Sequence, residues 1–315
     1  MIGLNRVKTW ILIAAMGGLF VLIGGVIGGQ NGMIVALAIA LIFNFSMYWF
    51  SAKIAIATTR SKPVTEQEYP DLYRIVRELT QTNQMPMPSI YVSDIAQPNA
   101  FATGRNPQNS AVAATTGLLQ MLTYDELAGV MAHELAHIRN RDTLIMTVSA
   151  TIAGAISTLA QFGFLFGGRG TDRPNPIVMI GTAILAPLAA MIIQMAVSRS
   201  REYDADRGGA EICGNPLWLA SALAKLEAGA AHIPNPEAER HPATAHMFIV
   251  TPLTGHGMDN LFSTHPATEK RIAALQELAG VLGSGASPAR PRGGFLGAAS
   301  SSPWGGVRAR RGPWG

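Results

Sequence analysis

The sequence predicts a mainly α membrane protein, with four transmembrane helices plus a cytoplasmic domain that carries a small β unit. Three observations predict it. Charged residues make up only 14% of the 315 positions, against roughly 25% in an ordinary soluble domain. Four apolar runs, residues 10–29, 33–50, 144–168 and 177–198, contain no Asp, Glu, Lys, Arg or His. The stretches between and after them have the patterned, polar character of folded soluble segments.

The runs justify the membrane part. Each is about 18–25 residues, enough for a helix to cross a ~30 Å hydrocarbon core. Gln30, Asn31 and Gly32 separate the first two runs, and Pro187 predicts a kink in the fourth. Arg6 and Lys8 precede the first run in the manner of a signal peptide, but no small-x-small cleavage site follows and a second run comes at once, so an uncleaved anchor is expected. Gly154, Gly163 and Pro187 favour an alternative of two spans, with the third and fourth runs as a soluble hairpin. With four crossings, Arg6, Lys8, Lys53, Arg60, Lys62, Arg139, Arg141, Arg199 and Arg201 fall on one side. The positive-inside rule then puts both termini, residues 51–143 and residues 199–315 in the cytoplasm. The expected units are a membrane hairpin at 1–52, a first domain part at 53–143, a second hairpin at 144–198, a second domain part at 199–280 and a disordered basic tail at 281–315.

Charge excludes one class of partner. The formal charge is +4, but the tail after Glu277 holds Arg290, Arg292, Arg308, Arg310 and Arg311 with no acid, leaving the rest at −1. The basic balance therefore belongs to a Gly/Ser/Pro/Arg extension, and no nucleic-acid-binding face is expected. The expected surroundings are the lipid bilayer and membrane protein substrates. One cysteine, Cys213, excludes an intrachain disulfide framework.

In the soluble part, Tyr69, Leu72, Ile75, Val76 and Leu79 form one apolar stripe, so 69–81 is a helix. SIYV at 89–92, NAFATG at 99–104 and AVAATT at 111–116 read as short strands parted by turn residues. Thr123 with Glu126 three places on is a capping box opening the next helix. Helices are also expected at 216–228 and from about Pro266 to Gly280, with a long loop at 229–263.

The helix opened by Thr123 carries HELAH. Positions i and i+4 share a helical face, so His133 and His137 can direct two imidazoles at one metal ion. Glu134 is offset beside that ion, where a general base would act on the water it activates. Zinc is the metal this spacing suits. A third protein ligand is still required. Asn140 and Thr143 stand where the metzincin pattern would want Gly and His, so the ligand comes from elsewhere. SREYDADRGGA at 200–210 offers Glu202 as ligand, with Asp206 on the same face to orient a zinc histidine, His133. The bland alternative is that these acids solvate a helix end. A helix running on unbroken from His137 would reach Leu144 within ~10 Å. His265, Arg271 and Tyr203 are candidate donors to the reaction's oxyanion, His265 foremost. Asn99 and Ala102, on a possible edge strand, are candidate substrate contacts.

HELAH, two hydrophobic segments and then EYDAD, with PNAFATG at 98–104, AVAATTGLL at 111–119 and LFSTHPATEKRI at 261–272, resemble the M48 peptidases of the HtpX type over residues 1–280. The resemblance implies a gluzincin-like zinc peptidase domain with one Zn2+ per subunit, held at a bacterial inner membrane and facing the cytoplasm. It also implies an endopeptidase for misfolded membrane proteins, linked to stress and capable of self-cleavage. Two other classes compete. A site-2-type intramembrane protease would place HExxH inside a span, yet Asp125, Glu126, Arg139 and Arg141 flank it here. A non-catalytic zinc-dependent adaptor would have no use for Glu134.

Overall fold

The structure is a computed structural model and describes residues 2–146, 199–230 and 266–284. The third apolar run beyond its first three residues, the fourth run, the loop from 231, His265 and the tail beyond Ser284 lie outside the described residues, and residues 281–284, expected in the disordered tail, continue the last helix.

The N-terminal segment α1, Ile2–Thr58, is two helices joined at Gly28 and Gly29, which leave helical geometry. Gly29 sits at φ 57°, ψ −142°, a conformation open to glycine alone. The chain doubles back there, slightly before the Gln30–Gly32 turn expected from polarity. Three contacts set the pairing as antiparallel. Trp10 stacks on Tyr48, Phe20 meets Phe43, and Asn44 donates to the Ile13 carbonyl at 3.2 Å. Among the described residues one stretch, Gly28–Phe50, is long and apolar enough to cross a membrane. Past Phe50, α1 runs on as a post for the sheet: Ala55 packs with Phe101 and Ala113, and Ser93 Oγ donates to the Thr59 carbonyl at 2.7 Å.

The sheet has the order β1 (Lys62–Pro63), β2 (Ser89–Ser93), β4 (Asn109–Thr115), β3 (Ala100–Asn106). β2 and β4 are parallel and the other pairs antiparallel. β3 is thus an edge strand, joined to β4 by a tight turn in which Asn106 Oδ1 accepts from Asn109 N at 2.9 Å. Helix α2, Pro70–Thr82, buries Leu72, Ile75, Val76 and Leu79, the stripe its sequence carries.

A short α3, Thr116–Met121, leads into α4, Tyr124–Asn140. Thr123 caps α4 with the full reciprocal box: its side chain accepts from Glu126 N, and Glu126 reaches back to Thr123 N at 2.8 Å. Glu126 also accepts from Ser221 at 2.6 Å and Lys225 at 2.8 Å. Burial would raise its pKa, but these bonds outweigh burial and hold it low. Every residue of α4 from Glu126 to Ile138 is buried. A helix enclosed on all sides shows little amphipathic pattern.

Two further helices enclose α4: α5, Arg199–Cys213, and α6, Pro216–Ala230, while α7, Thr268–Ser284, closes over α5 and α6. The continuous helix from His137 into the third run is not formed. α4 ends at Arg141 in the left-handed conformation (φ 58°, ψ 37°), and a new helical turn opens at Thr143.

Candidate metal centre

The site is built where α5 crosses α4. Gly209 makes the crossing close. A Cβ there would stand 2.9 Å from His133 Cα and N, so only glycine lets α5 lie against the α4 backbone. That contact turns Glu202 and Asp206, on one face of α5, toward the face of α4 that carries His133 and His137.

The ligand atoms converge. His133 Nε2 and His137 Nε2 are 3.1 Å apart, and the rings meet edge to face. Glu202 Oε2 is 3.7 Å from His133 Nε2, and Oε1 is 3.7 Å from His137 Nε2. Zn–N and Zn–O bonds of about 2.0–2.1 Å in a tetrahedron place ligand atoms about 3.3 Å apart. The observed spacings bracket that value. His133, His137 and Glu202 are the group among the described residues able to hold an ion.

Hydrogen bonding behind the rings points the same way. Asp142 Oδ2 lies 3.1 Å from His137 Nδ1. Asp206 Oδ1 stands 3.0 Å from His133 Nδ1, within reach but off the line of an ideal N–H bond. If both carboxylates hold their Nδ1 protons, two Nε2 lone pairs and a carboxylate face one another in a buried space. Such an arrangement repels itself unless a cation fills it.

Charge gives an independent test. Glu134, Asp142, Glu202 and Asp206 are buried together with Arg201 and Arg271. Four carboxylates against two guanidiniums leave two negative charges, which a divalent ion cancels. Without the ion, protons take its part. Burial pulls the His137 pKa down, but Asp142, Glu202 and Glu134 overcome it and push it up to about 10. The donor set and the charge balance fit zinc.

Glu134 lies beside the cluster and is buried. Burial raises its pKa, against the opposing pull of His133 and His137 and a hydrogen bond from the Ala102 backbone. Ala102 therefore lies against Glu134, on the edge strand. Asn99 is buried at the head of β3, where its backbone N–H and C=O both engage Thr115, each at 2.9 Å.

The Arg271 guanidinium is held by carboxylates. It is 1% exposed, donates to both Asp206 oxygens at 2.8 and 2.6 Å, and approaches Glu202 at 3.5 Å. Burial would raise the Asp206 pKa, but Arg271 and His133 hold it low. Tyr203 is half-buried on α5. Asp142 was missed by sequence reasoning. Its signal is the left-handed cap at Arg141, which turns the next residue back onto His137.

Comparison with known proteins gives two similarities. The crystal structure of S. mikatae Ste24p is similar over 86% of this chain, at 19% identity and a TM-score of 0.45; the chain spans 65% of that protein's length. The family model described as Peptidase family M48 matches residues 66–279, well over half of the chain and inclusive of His133, Glu134, His137, Glu202, Asp206 and Arg271. The chain belongs to peptidase family M48.

Proposed function

We propose that the chain is an endopeptidase of the HtpX type, anchored in a bacterial inner membrane with its site on the cytoplasmic side, that hydrolyses misfolded or damaged membrane proteins under stress. The observation that carries the chemistry is Glu134, buried beside three converging ligand atoms and not among them. His133, His137 and Glu202 would hold the zinc. When bound, the ion acts as a Lewis acid toward the peptide carbonyl and acidifies water. Glu134 takes the proton from the attacking water as its oxygen bonds to the carbonyl carbon. It then delivers that proton to the departing amide nitrogen as the C–N bond breaks, so one water is consumed per bond cut. Asp206 and Asp142 fix the imidazole tautomers. The β3 edge near Asn99 and Ala102 lies where an extended substrate would run, and His265 is the proposed oxyanion donor.

The full-length protein purified in detergent should hydrolyse casein, lose that activity to a chelator and regain it with zinc. A zinc-loaded protein without activity on any unfolded substrate would leave the adaptor reading in its place. The membrane reading rests on the apolar runs and on Lys and Arg placement. Reporter fusions at Asn31 and Asp172 should read as extracytoplasmic, and those at Asn83 and Gly280 as cytoplasmic. A cytoplasmic signal at Asp172 in active protein would remove the four-span topology.

A further inference from the structure

Two contacts of β3 with the membrane helix set the height of the site. At the lower point, the Arg105 guanidinium lies over the Trp49 ring, 4.5 Å from its centroid. At the upper point, Phe101 packs against Ala55. Trp49 and Phe50 end the apolar stretch, and Lys53 sits over the Phe50 ring at 5.7 Å. Aromatic rings beside cationic side chains mark the headgroup level of a span.

The two contacts also set a direction. Along α1, Trp49 to Ala55 is a rise of about 9 Å at 1.5 Å per residue. Along β3, Phe101 to Arg105 covers about 13 Å at 3.3 Å per residue. β3 therefore descends toward the bilayer from Phe101 to Arg105, beside the post formed by α1. Ala102 lies three quarters of the way up, about 7 Å beyond the Trp49 ring. A helix tilt of ~20° would change this by less than a tenth. Glu134 is hydrogen-bonded to the Ala102 backbone, so the reacting bond sits at that height. Thr143 donates to the Gly104 carbonyl at 3.0 Å, which ties the chain leaving the metal centre to the same strand.

We propose that α1 and β3 form a ruler of fixed height, and that the enzyme cuts membrane-anchored substrates in the extended segment about two to four residues beyond the end of their span. The substrate class is then the unstructured juxtamembrane segment of an integral membrane protein on the leaflet that Trp49 marks. This rests on the peptidase reading and on Gly28–Phe50 spanning the bilayer. A chain released into solution has no boundary from which to measure, so its cuts would follow sequence alone.

The test uses zinc-loaded, full-length enzyme in lipid vesicles. The tethered substrate is one apolar span followed by a linker of a single repeated tripeptide, which removes sequence preference. Cuts are mapped by mass spectrometry. They should cluster about two to four residues past the span. Adding three leucines to the end of the span, with the linker unchanged, should move the cuts with the boundary. Cuts spread evenly along the linker, or unmoved when the boundary moves, would overturn the ruler. The free linker peptide is the parallel substrate. Its hydrolysis together with scattered cuts in the tethered substrate defeats the ruler alone. No hydrolysis of either substrate defeats the peptidase reading and the ruler with it.

Discussion

Glu134→Gln should lose peptide hydrolysis by about 10²- to 10⁴-fold, the usual contribution of a general base, while keeping its zinc. The glutamine preserves volume and can still accept the bond from the Ala102 backbone, but it cannot take up the water's proton. It also removes one charge from a buried group that carries an excess of negative charge, so nothing in the fold resists the change. His133→Ala, His137→Ala and Glu202→Ala each remove a ligand atom from a three-residue set and should lose zinc and activity together. Metal content by elemental analysis, measured beside casein hydrolysis, separates the two outcomes. Activity within tenfold of the parent in Glu134→Gln would show that another group activates the water. Full zinc occupancy in Glu202→Ala would remove Glu202 from the ligand set.

How much of this was legible in the sequence depends on how local each feature is. The capping box, the HELAH face and the stripe of α2 are contained within one or two helical turns, and the structure has them where the sequence puts them. The strands at 89–93, 100–106 and 109–115 follow their apolar runs within a few residues. Their order does not follow from the sequence. β2 pairs with β4 in parallel, and the two-residue β1 joins the other edge, because register across a sheet is set by packing between distant segments. The convergence of His133, His137 and Glu202 was legible for a different reason. Glu202 and Asp206 repeat the i, i+4 spacing of the histidines, and Gly208–Gly209 directly after them is what a close helix crossing requires. Asp142 was hidden because it acts through a left-handed cap, which interrupts the helical periodicity by which residues are assigned to faces. Arg271 was visible as a charge near the site, but its carboxylate partner was not. Nothing in THPATEKRI shows that its guanidinium turns inward to Asp206, sixty-five residues earlier.

That pair carries the second large effect. Arg271→Met should destabilise the metal-free protein by about 3–5 kcal/mol, the cost of leaving one member of a buried ion pair without its partner. Asp206 would then stand buried beside Glu202 and Glu134 with no guanidinium to balance them, and α7 would lose its anchor on α5. Asp206→Asn should cost far less stability, since its amide oxygen can still accept from Arg271. Its effect falls on the metal, because the amide holds the His133 tautomer poorly: about 10- to 100-fold in zinc affinity. Asp204→Asn, on another face of α5, should leave both quantities at the parent value. The double variant, Arg271→Met with Asp206→Asn, is the decisive member of the set. Charge burial requires it to recover much of the stability that Arg271→Met loses, because no unpaired carboxylate remains at 206, while its zinc affinity stays low. Thermal unfolding of the metal-free proteins and zinc competition titrations supply the cycle. If the double variant unfolds as early as Arg271→Met alone, the guanidinium acts by filling volume between α5 and α7, and Asp206 owes its low pKa to Arg271 without the fold depending on the pair.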